Sequence, residues 1–288
     1  MRRLGVHTSI AGGLDKSLIR AKELGCDTLQ IFSHNPRGWA LSDIAPDEAA
    51  AFRKTREKLG LDPVFIHSCY LINLASQYLE IRERSLWMLG QELARADAIG
   101  ADYVILHLAQ AAGEDGIESL IMQIRSVIGR KGKKRFRAGL LFENTAGLPR
   151  KAGGPKDAGA AASSLSALAQ IVEECGVAGI CFDTCHGFAS GYDIREPGQA
   201  DAMAEEVSSR LGQGKIKLIH LNDSKGALGS GLDRHEHLGK GKIGLAGLRR
   251  FLASAGFAEV PVVLETPKEA ESDDVMNIKT ARSLIKPD

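Results

Sequence analysis

The chain has 288 residues, 44% hydrophobic and 25% charged, which excludes a disordered or fibrous protein and suits one large α/β domain. Its net charge of +1 argues neither for nor against a nucleic-acid partner, whose attraction would have to come from a local patch or bound cations. The five cysteines (Cys26, Cys69, Cys175, Cys181, Cys185) match no zinc-ribbon or disulfide spacing and read as reduced thiols of a cytoplasmic protein.

In chain order, an apolar run at 4–9 comes first, then a helix at 14–24 that opens after Gly12-Gly13. A run at 28–33 is followed by a helix at 46–59, with Pro-Asp-Glu in its first turn and Gly60 as its stop. Runs at 63–68 and 103–108 flank a helix at 79–99, and a helix at 117–129 leads to the run at 138–144. Next come a helix at 163–175, a run at 177–184, a helix at 199–211 and a run at 216–222. A helix at 244–255, a run at 260–266 and a helix at 274–285 finish the chain. The runs are nearly continuous in Val, Ile, Leu and Phe, as strands buried on both faces require. Eight strand–helix units predict a (β/α)8 TIM barrel, one domain over 1–288. A doubly wound open sheet is the runner-up, but His7-Thr-Ser-Ile-Ala-Gly-Gly-Leu14 is not its G-x-G-x-x-G turn. No apolar run approaches the roughly 20 residues that span a bilayer, and the N-terminus shows no leader pattern. Residues 147–162 read as a long loop, and Leu238-Gly-Lys-Gly-Lys-Ile-Gly244 as a plain loop rather than a phosphate cradle.

The strands share a polar punctuation. The third to eighth runs end in His67, His107, Glu143, Asp183, His220 and Glu265. In a parallel barrel these ends converge on one face, so six metal-ligating side chains meet there without sequence proximity. His186 lies one helical turn past Asp183, and Asp233 and His235 form an Asp-x-His pair after the seventh strand. A lone histidine at a strand end is usually a hydrogen-bonded structural residue. Six such ends together would repel and resist desolvation unless cations relieved both. Nine ligands exceed the four of one tetrahedral zinc, and two or three ions fit if a carboxylate bridges. Imidazole with carboxylate points to zinc first, with Mn2+ or Fe2+ as substitutes; Cys185 is a weaker candidate than His186. Clustered cations suit phosphodiester hydrolysis, and a two-metal sugar isomerase is the chemical rival.

Across nearly the whole chain the sequence resembles the endonuclease IV (deoxyribonuclease IV) family of DNA base-excision repair. The resemblance rests on His7 to Leu14, His67-Ser-Cys-Tyr-Leu-Ile-Asn-Leu74, Glu143-Asn-Thr-Ala-Gly147 and Phe182-Asp-Thr-Cys-His-Gly-Phe-Ala-Ser-Gly-Tyr-Asp193. It continues through His220-Leu-Asn-Asp-Ser-Lys225, Asp233-Arg-His235 and Leu264-Glu-Thr266. It implies three zinc ions: His67 and His107 on one, sharing Glu143 with a second completed by Asp183, His220 and Glu265, and His186, Asp233 and His235 on the third. It implies hydrolysis of the phosphodiester 5′ to an abasic site, leaving a 3′-hydroxyl, with removal of 3′-blocking groups as well. Glu143 and Glu265 would also steer the nucleophile. The implied partner is double-stranded DNA with abasic sites, bound by a monomer.

The same resemblance assigns DNA contacts to Arg37, in Ser33-His-Asn-Pro-Arg-Gly-Trp39, and to Tyr70 and Leu71. The plain readings are a surface arginine, Trp39 packed under its loop, and Tyr70 and Leu71 in the core. Two departures stand out. Leu108-Ala109-Gln110 follows His107 where Pro-Gly is usual, and His34 replaces a common lysine, which would make a phosphate contact pH-dependent. The basic run Arg130-Lys-Gly-Lys-Lys-Arg-Phe-Arg137 precedes the fifth strand, so it is expected at the opposite end as a solvated face. A non-catalytic module that binds damaged DNA through its metals is the remaining alternative.

Overall fold

Short strands that are apolar on both faces need cover on both, and a closed parallel barrel ringed by helices supplies it. The computed structural model describes residues 2–108, 113–129, 135–147 and 165–285. Its strands are β1 (Leu4–His7), β2 (Thr28–Phe32), β3 (Val64–His67), β4 (Tyr103–His107), β5 (Gly139–Glu143), β6 (Gly179–Asp183) and β7 (Ile216–His220). Two short strands, β8 (Asp223–Ser224) and β9 (His235–Glu236), pair antiparallel as a separate ribbon. β10 (Val262–Leu264) closes the barrel between β7 and β1, with Leu4 opposite Val262. That closure corrects the open-sheet alternative. β1 and β2 approach so closely that a Cβ on Gly5 would lie 2.2 Å from the Thr28 carbonyl oxygen.

The helices are α1 (Leu14–Glu23), α2 (Pro46–Leu59), α3 (Leu79–Ile99), α4 (Gly113–Ile128), α5 (Leu165–Cys175), α6 (Thr184–Ser190), α7 (Gln199–Leu211), α8 (Gly244–Ala253) and α9 (Ser272–Ile285). α2, α3 and α7 have the expected bounds, and α4 begins four residues earlier than expected. The expected loop at 147–162 lies, from 148 on, outside the described residues, as do Ala109 and Gln110. No helix among the described residues is long and apolar enough to cross a membrane.

The alternation of strand side chains sets the level of each residue in the lumen. Phe65, Ile105, Leu141, Cys181, Leu218 and Val263 form one buried cluster inside the barrel. Each precedes by two residues one of His67, His107, Glu143, Asp183, His220 and Glu265. The six polar side chains therefore face the lumen as well, one layer higher, on an apolar floor that keeps water out. The intervening residues Ile66, Leu106, Phe142, Phe182, Ile219 and Leu264 face outward into the main core beneath the helices.

Candidate metal centre

All nine expected ligand side chains stand at the C-terminal rim of the barrel. Their ligand atoms gather into His67–His107–Glu143, Glu143–Asp183–His220–Glu265 and His186–Asp233–His235, within 4.8 Å of one another in each group. Glu143 joins the first two. Its Oε2 lies 2.9 Å from His107 Nε2, and its Oε1 lies 3.0 Å from His220 Nδ1. The third group depends on α6. Asp183 ends β6 and caps α6 by accepting the His186 backbone N–H at 2.8 Å, which turns His186 back over the rim. α6 has no amphipathic period to announce it, because six of its seven residues are buried.

The imidazoles are aimed by what their outer nitrogens do. His67 Nδ1 donates to the Ser68 carbonyl at 2.8 Å, His186 Nδ1 to the Asn144 carbonyl at 3.0 Å and His235 Nδ1 to the Glu265 carbonyl at 3.0 Å. A carbonyl only accepts, so each Nδ1 keeps its proton, and the neutral form of each ring turns a bare Nε2 toward the rim. His67 and His107 bring their Nε2 atoms within 3.1 Å of each other, where at most one proton fits. His235 Nε2 is buried without a hydrogen-bond partner, and Glu143 Oε2 and His186 Nε2, though 2.9 Å from His107 and 3.1 Å from Asp233, make no well-aligned bond there. Converging lone pairs and orphaned buried polar atoms are what divalent cations satisfy, so the residues fit the implied metals. Cys181 and Cys185 also stand among the ligands, in Glu143–Cys181–His220 and Asp183–Cys185–His235, but burial pushes both thiols up to about 12, so they are weaker donors than the imidazoles and carboxylates.

Charge within the cluster compensates burial. Burial alone would raise Glu143, but His107 and His220 hold it well below the usual carboxylate range. Burial likewise opposes ionisation of Glu265, which His220 and His7 reverse, and His186 brings Asp233 down to about 2 despite burial. Burial disfavours the imidazolium forms of His186 and His220, yet neighbouring acidic groups, Asp183 first for His186 and Cys181 then Glu265 for His220, hold both well above the ordinary value.

In the metal-free chain these shifts make stability depend on pH. The raised imidazoles add stability below their ordinary 6.5 that is lost as pH rises through their folded values. The depressed glutamates add stability above their ordinary 4.5 that is lost as pH falls through theirs. Chelator-treated protein should therefore melt highest between 4.5 and 6.5 and lower toward alkaline pH. Cations need the unprotonated imidazoles, so the rise in Tm on adding zinc should widen over the same alkaline range. Melting curves with chelator that stay flat from mildly acid to alkaline pH would refute the coupling.

A family profile described as Xylose isomerase-like TIM barrel matches residues 18–286. A probable endonuclease 4 from Methanoculleus marisnigri is 40% identical over 284 residues, covering 98% of each chain. The crystal structure of endonuclease IV from Thermus thermophilus superposes with TM-score 0.82 at 34% identity, covering 98% of each chain. This chain belongs to the endonuclease IV family. A 3-keto-D-glucoside 4-epimerase from E. coli, at TM-score 0.64 and 16% identity over 99% of each chain, shares the fold alone.

The DNA contacts that the endonuclease IV resemblance assigns lie on two adjoining loops beside the rim. Arg37 is exposed, and Tyr70 is 61% exposed with its ring edge-on to Phe32 at 5.2 Å. Leu71 and Trp39 are partly buried against the main core. The Tyr70 backbone N–H donates to the Pro36 carbonyl at 3.1 Å, tying the loops together. Glu92 on α3 ties them again, accepting from Ser33 Oγ at 2.7 Å and from the Cys69 backbone N–H at 3.0 Å.

His34 departs from expectation. Its ring is buried and its Nε2 lies 3.0 Å from Glu92 Oε1, so it is turned inward rather than toward a phosphate. A short ring packs where a longer lysine would reach out. In the basic run, Arg137 is exposed at the N-terminal side of β5, away from the rim, while 130–134 lie outside the described residues.

The glycine-rich stretch at 238–244 is, as expected, a loop leading into α8, and its backbone N–H groups wrap the Asp223 carboxylate. The buried Asp223 carboxylate accepts the N–H groups of Gly239 at 2.9 Å, Gly241 at 3.1 Å, Ile243 at 3.0 Å and Ser224 at 2.8 Å. A Cβ on Gly241 would fall 2.4 Å from that carboxylate, so the turn needs glycine there. The β8–β9 ribbon that carries His235 is thereby anchored.

Sequence reasoning passed over several residues of the site. Asn222 holds Asp183 Oδ2 at 2.6 Å and accepts the Glu265 backbone N–H at 2.9 Å. Asn144 extends the β5–β6 ladder, accepting the Asp183 N–H at 2.7 Å. Both stand inside the family motifs, which was the available signal. Gln30 lies in the lumen against Glu265 and His220, and its signal was an amide in the middle of a strand apolar on both faces.

Proposed function

We propose that this protein is a zinc-dependent apurinic/apyrimidinic endonuclease of DNA base-excision repair. It is a DNA-cleaving hydrolase of the endonuclease IV class, by membership of a family whose relatives are named as endonucleases. One observation carries the metal-dependent part: nine imidazole and carboxylate ligands converge on one rim in three groups. His67, His107 and Glu143 would hold one ion, Glu143, Asp183, His220 and Glu265 a second, and His186, Asp233 and His235 a third. When bound, the cations supply positive charge to the phosphate oxygens and acidify an attacking water.

The chain's own groups do the rest. Glu143 and Glu265, kept ionised, accept hydrogen bonds from the water and aim it at phosphorus on the 5′ side of the abasic sugar. The water oxygen bonds to phosphorus and gives up a proton, the bond to the upstream 3′-oxygen breaks, and that oxygen takes up a proton in exchange and leaves as the 3′-hydroxyl. The second product is a 5′-deoxyribose phosphate end. Removal of 3′-blocking groups uses the same bond cleavage at a strand terminus. Arg37, Tyr70 and Leu71 wedge into the stack where the base is missing and favour extrusion of the sugar toward the rim. A groove of 1170 Å³ beside the rim, lined by His7, Phe32, Asn35 and Lys268 among others, gives the strand a path between the Arg37 loop and α9. The chain acts as a single-domain monomer in the cytoplasm.

The test is incubation of a tetrahydrofuran-containing duplex with the protein, with and without chelator. Incision 5′ to the lesion that chelator abolishes and zinc restores is expected. A duplex bound but left intact by zinc-loaded protein would favour the binding-module alternative and sink this reading. Arg37→Ala should raise KM for the lesion duplex about tenfold, the scale of one lost stacking contact, with metal content unchanged. Unaltered affinity and turnover would remove the wedge role.

A further inference from the structure

Three of the rim histidines give their outer proton to a backbone carbonyl, which no side-chain substitution can remove. His220 is held differently. Its Nε2 lies 2.7 Å from the side-chain oxygen of Gln30, and its Nδ1 faces Glu143 at 3.0 Å and Glu265 at 3.3 Å. Gln30 is fully buried on the lumen face of β2.

The amide has only one consistent orientation. Its nitrogen lies 2.5 Å from Glu265 Oε1 and 2.9 Å from His7 Nδ1. An ionised carboxylate only accepts, so the amide NH2 must face Glu265, with its second hydrogen directed to His7. The amide oxygen then faces His220 and only accepts, so His220 Nε2 must donate. The proton on Nε2 leaves Nδ1 as the nitrogen able to bind a cation, already directed into the Glu143–Asp183–His220–Glu265 group. One side chain thus sets the tautomer of one ligand and the rotamer of another.

We infer that Gln30 is a positioning residue of the metal centre, acting on the ion held by Asp183, His220 and Glu265 with Glu143. The inference rests on the metal reading proposed above. Gln30 touches neither substrate nor cation; it acts through two ligands of one ion and none of the other two, so its loss should be selective.

The test measures zinc stoichiometry and release to a chromophoric chelator for the wild type, Gln30→Met and Gln30→Glu, with imidazole 15N spectra of His220. Gln30→Met keeps the volume and removes both hydrogen-bonding groups. It should hold one of the three ions about 10- to 100-fold more weakly and retain the others. Gln30→Glu keeps an acceptor for His220 but sets a second carboxylate against Glu265. It should keep the Nε2-protonated signature of His220 while still weakening the same ion. Should a variant unfold without metal, the comparison is made on zinc-loaded protein by release rate. Full retention of all ions by Gln30→Met, or a His220 tautomer indifferent to it, would overturn the inference. A wild-type chain that takes up no zinc would instead overturn the metal reading and this inference with it.

Discussion

Glu143→Ala should reduce incision of an abasic duplex at least about 1000-fold, some 4 kcal/mol of transition-state stabilisation, while leaving the fold intact. Glu143 is the one side chain shared by two of the three ligand groups, and its two oxygens reach His107 and His220 on opposite sides. Its removal takes an anion from both groups at once and frees His107 and His220 from their common partner. The barrel should survive, because Leu141 below it and Phe142 outside it keep their apolar contacts. Single-turnover kinetics beside circular dichroism would check this. Activity within tenfold of the parent would mean that the bridge lies elsewhere.

The largest effect on stability is expected away from the ligands, at Asp223→Ala. The buried carboxylate satisfies backbone N–H groups of Ser224, Gly239, Gly241 and Ile243, those of Ser224 and Ile243 buried with it. Alanine would orphan the buried Ser224 and Ile243 groups and leave those of Gly239 and Gly241 to water, and each buried unsatisfied group costs about 1–3 kcal/mol before relaxation. We expect a loss of about 4 kcal/mol in all, a fall in Tm on the order of 10 °C. Asp223→Asn keeps one acceptor oxygen and should lose about half as much. The ribbon bearing His235 should loosen as well, so the His186–Asp233–His235 group should bind cations less tightly. A Tm within a degree or two of the parent would show that the turn holds itself without the carboxylate.

The rim was legible in the sequence because strand chemistry is periodic. A buried run that ends in one histidine or carboxylate aims it into the lumen whenever the residue two before it is there too, as Leu141 and Glu143 or Leu218 and His220 show. Barrel closure then did the gathering, which needs no information beyond strand count and direction. What was hidden depends on contacts between distant segments. His34 read as an outward replacement for lysine, but its environment is set by Glu92, 58 residues further on. Asp223 looked like any loop aspartate until the turn at 238–244 was folded over it. Of α6 only the first turn, from Asp183 to His186, was legible, because a helix buried on nearly every side carries no polar face to mark its period. Gln30 was visible as an anomaly, a polar side chain between Leu29 and Ile31, yet only its contacts with Glu265 and His220 explain it.

The same barrel supports sugar epimerases at low identity, so the fold does not choose the reaction; the ligand set on the rim does. Anomalous diffraction at the zinc edge from crystals of the zinc-loaded chain tests that most directly. Three peaks are predicted, one against His67 and His107, one against Asp183, His220 and Glu265, and one against His186, Asp233 and His235, with Glu143 between the first two. A single peak, or peaks away from this rim, would contradict the account.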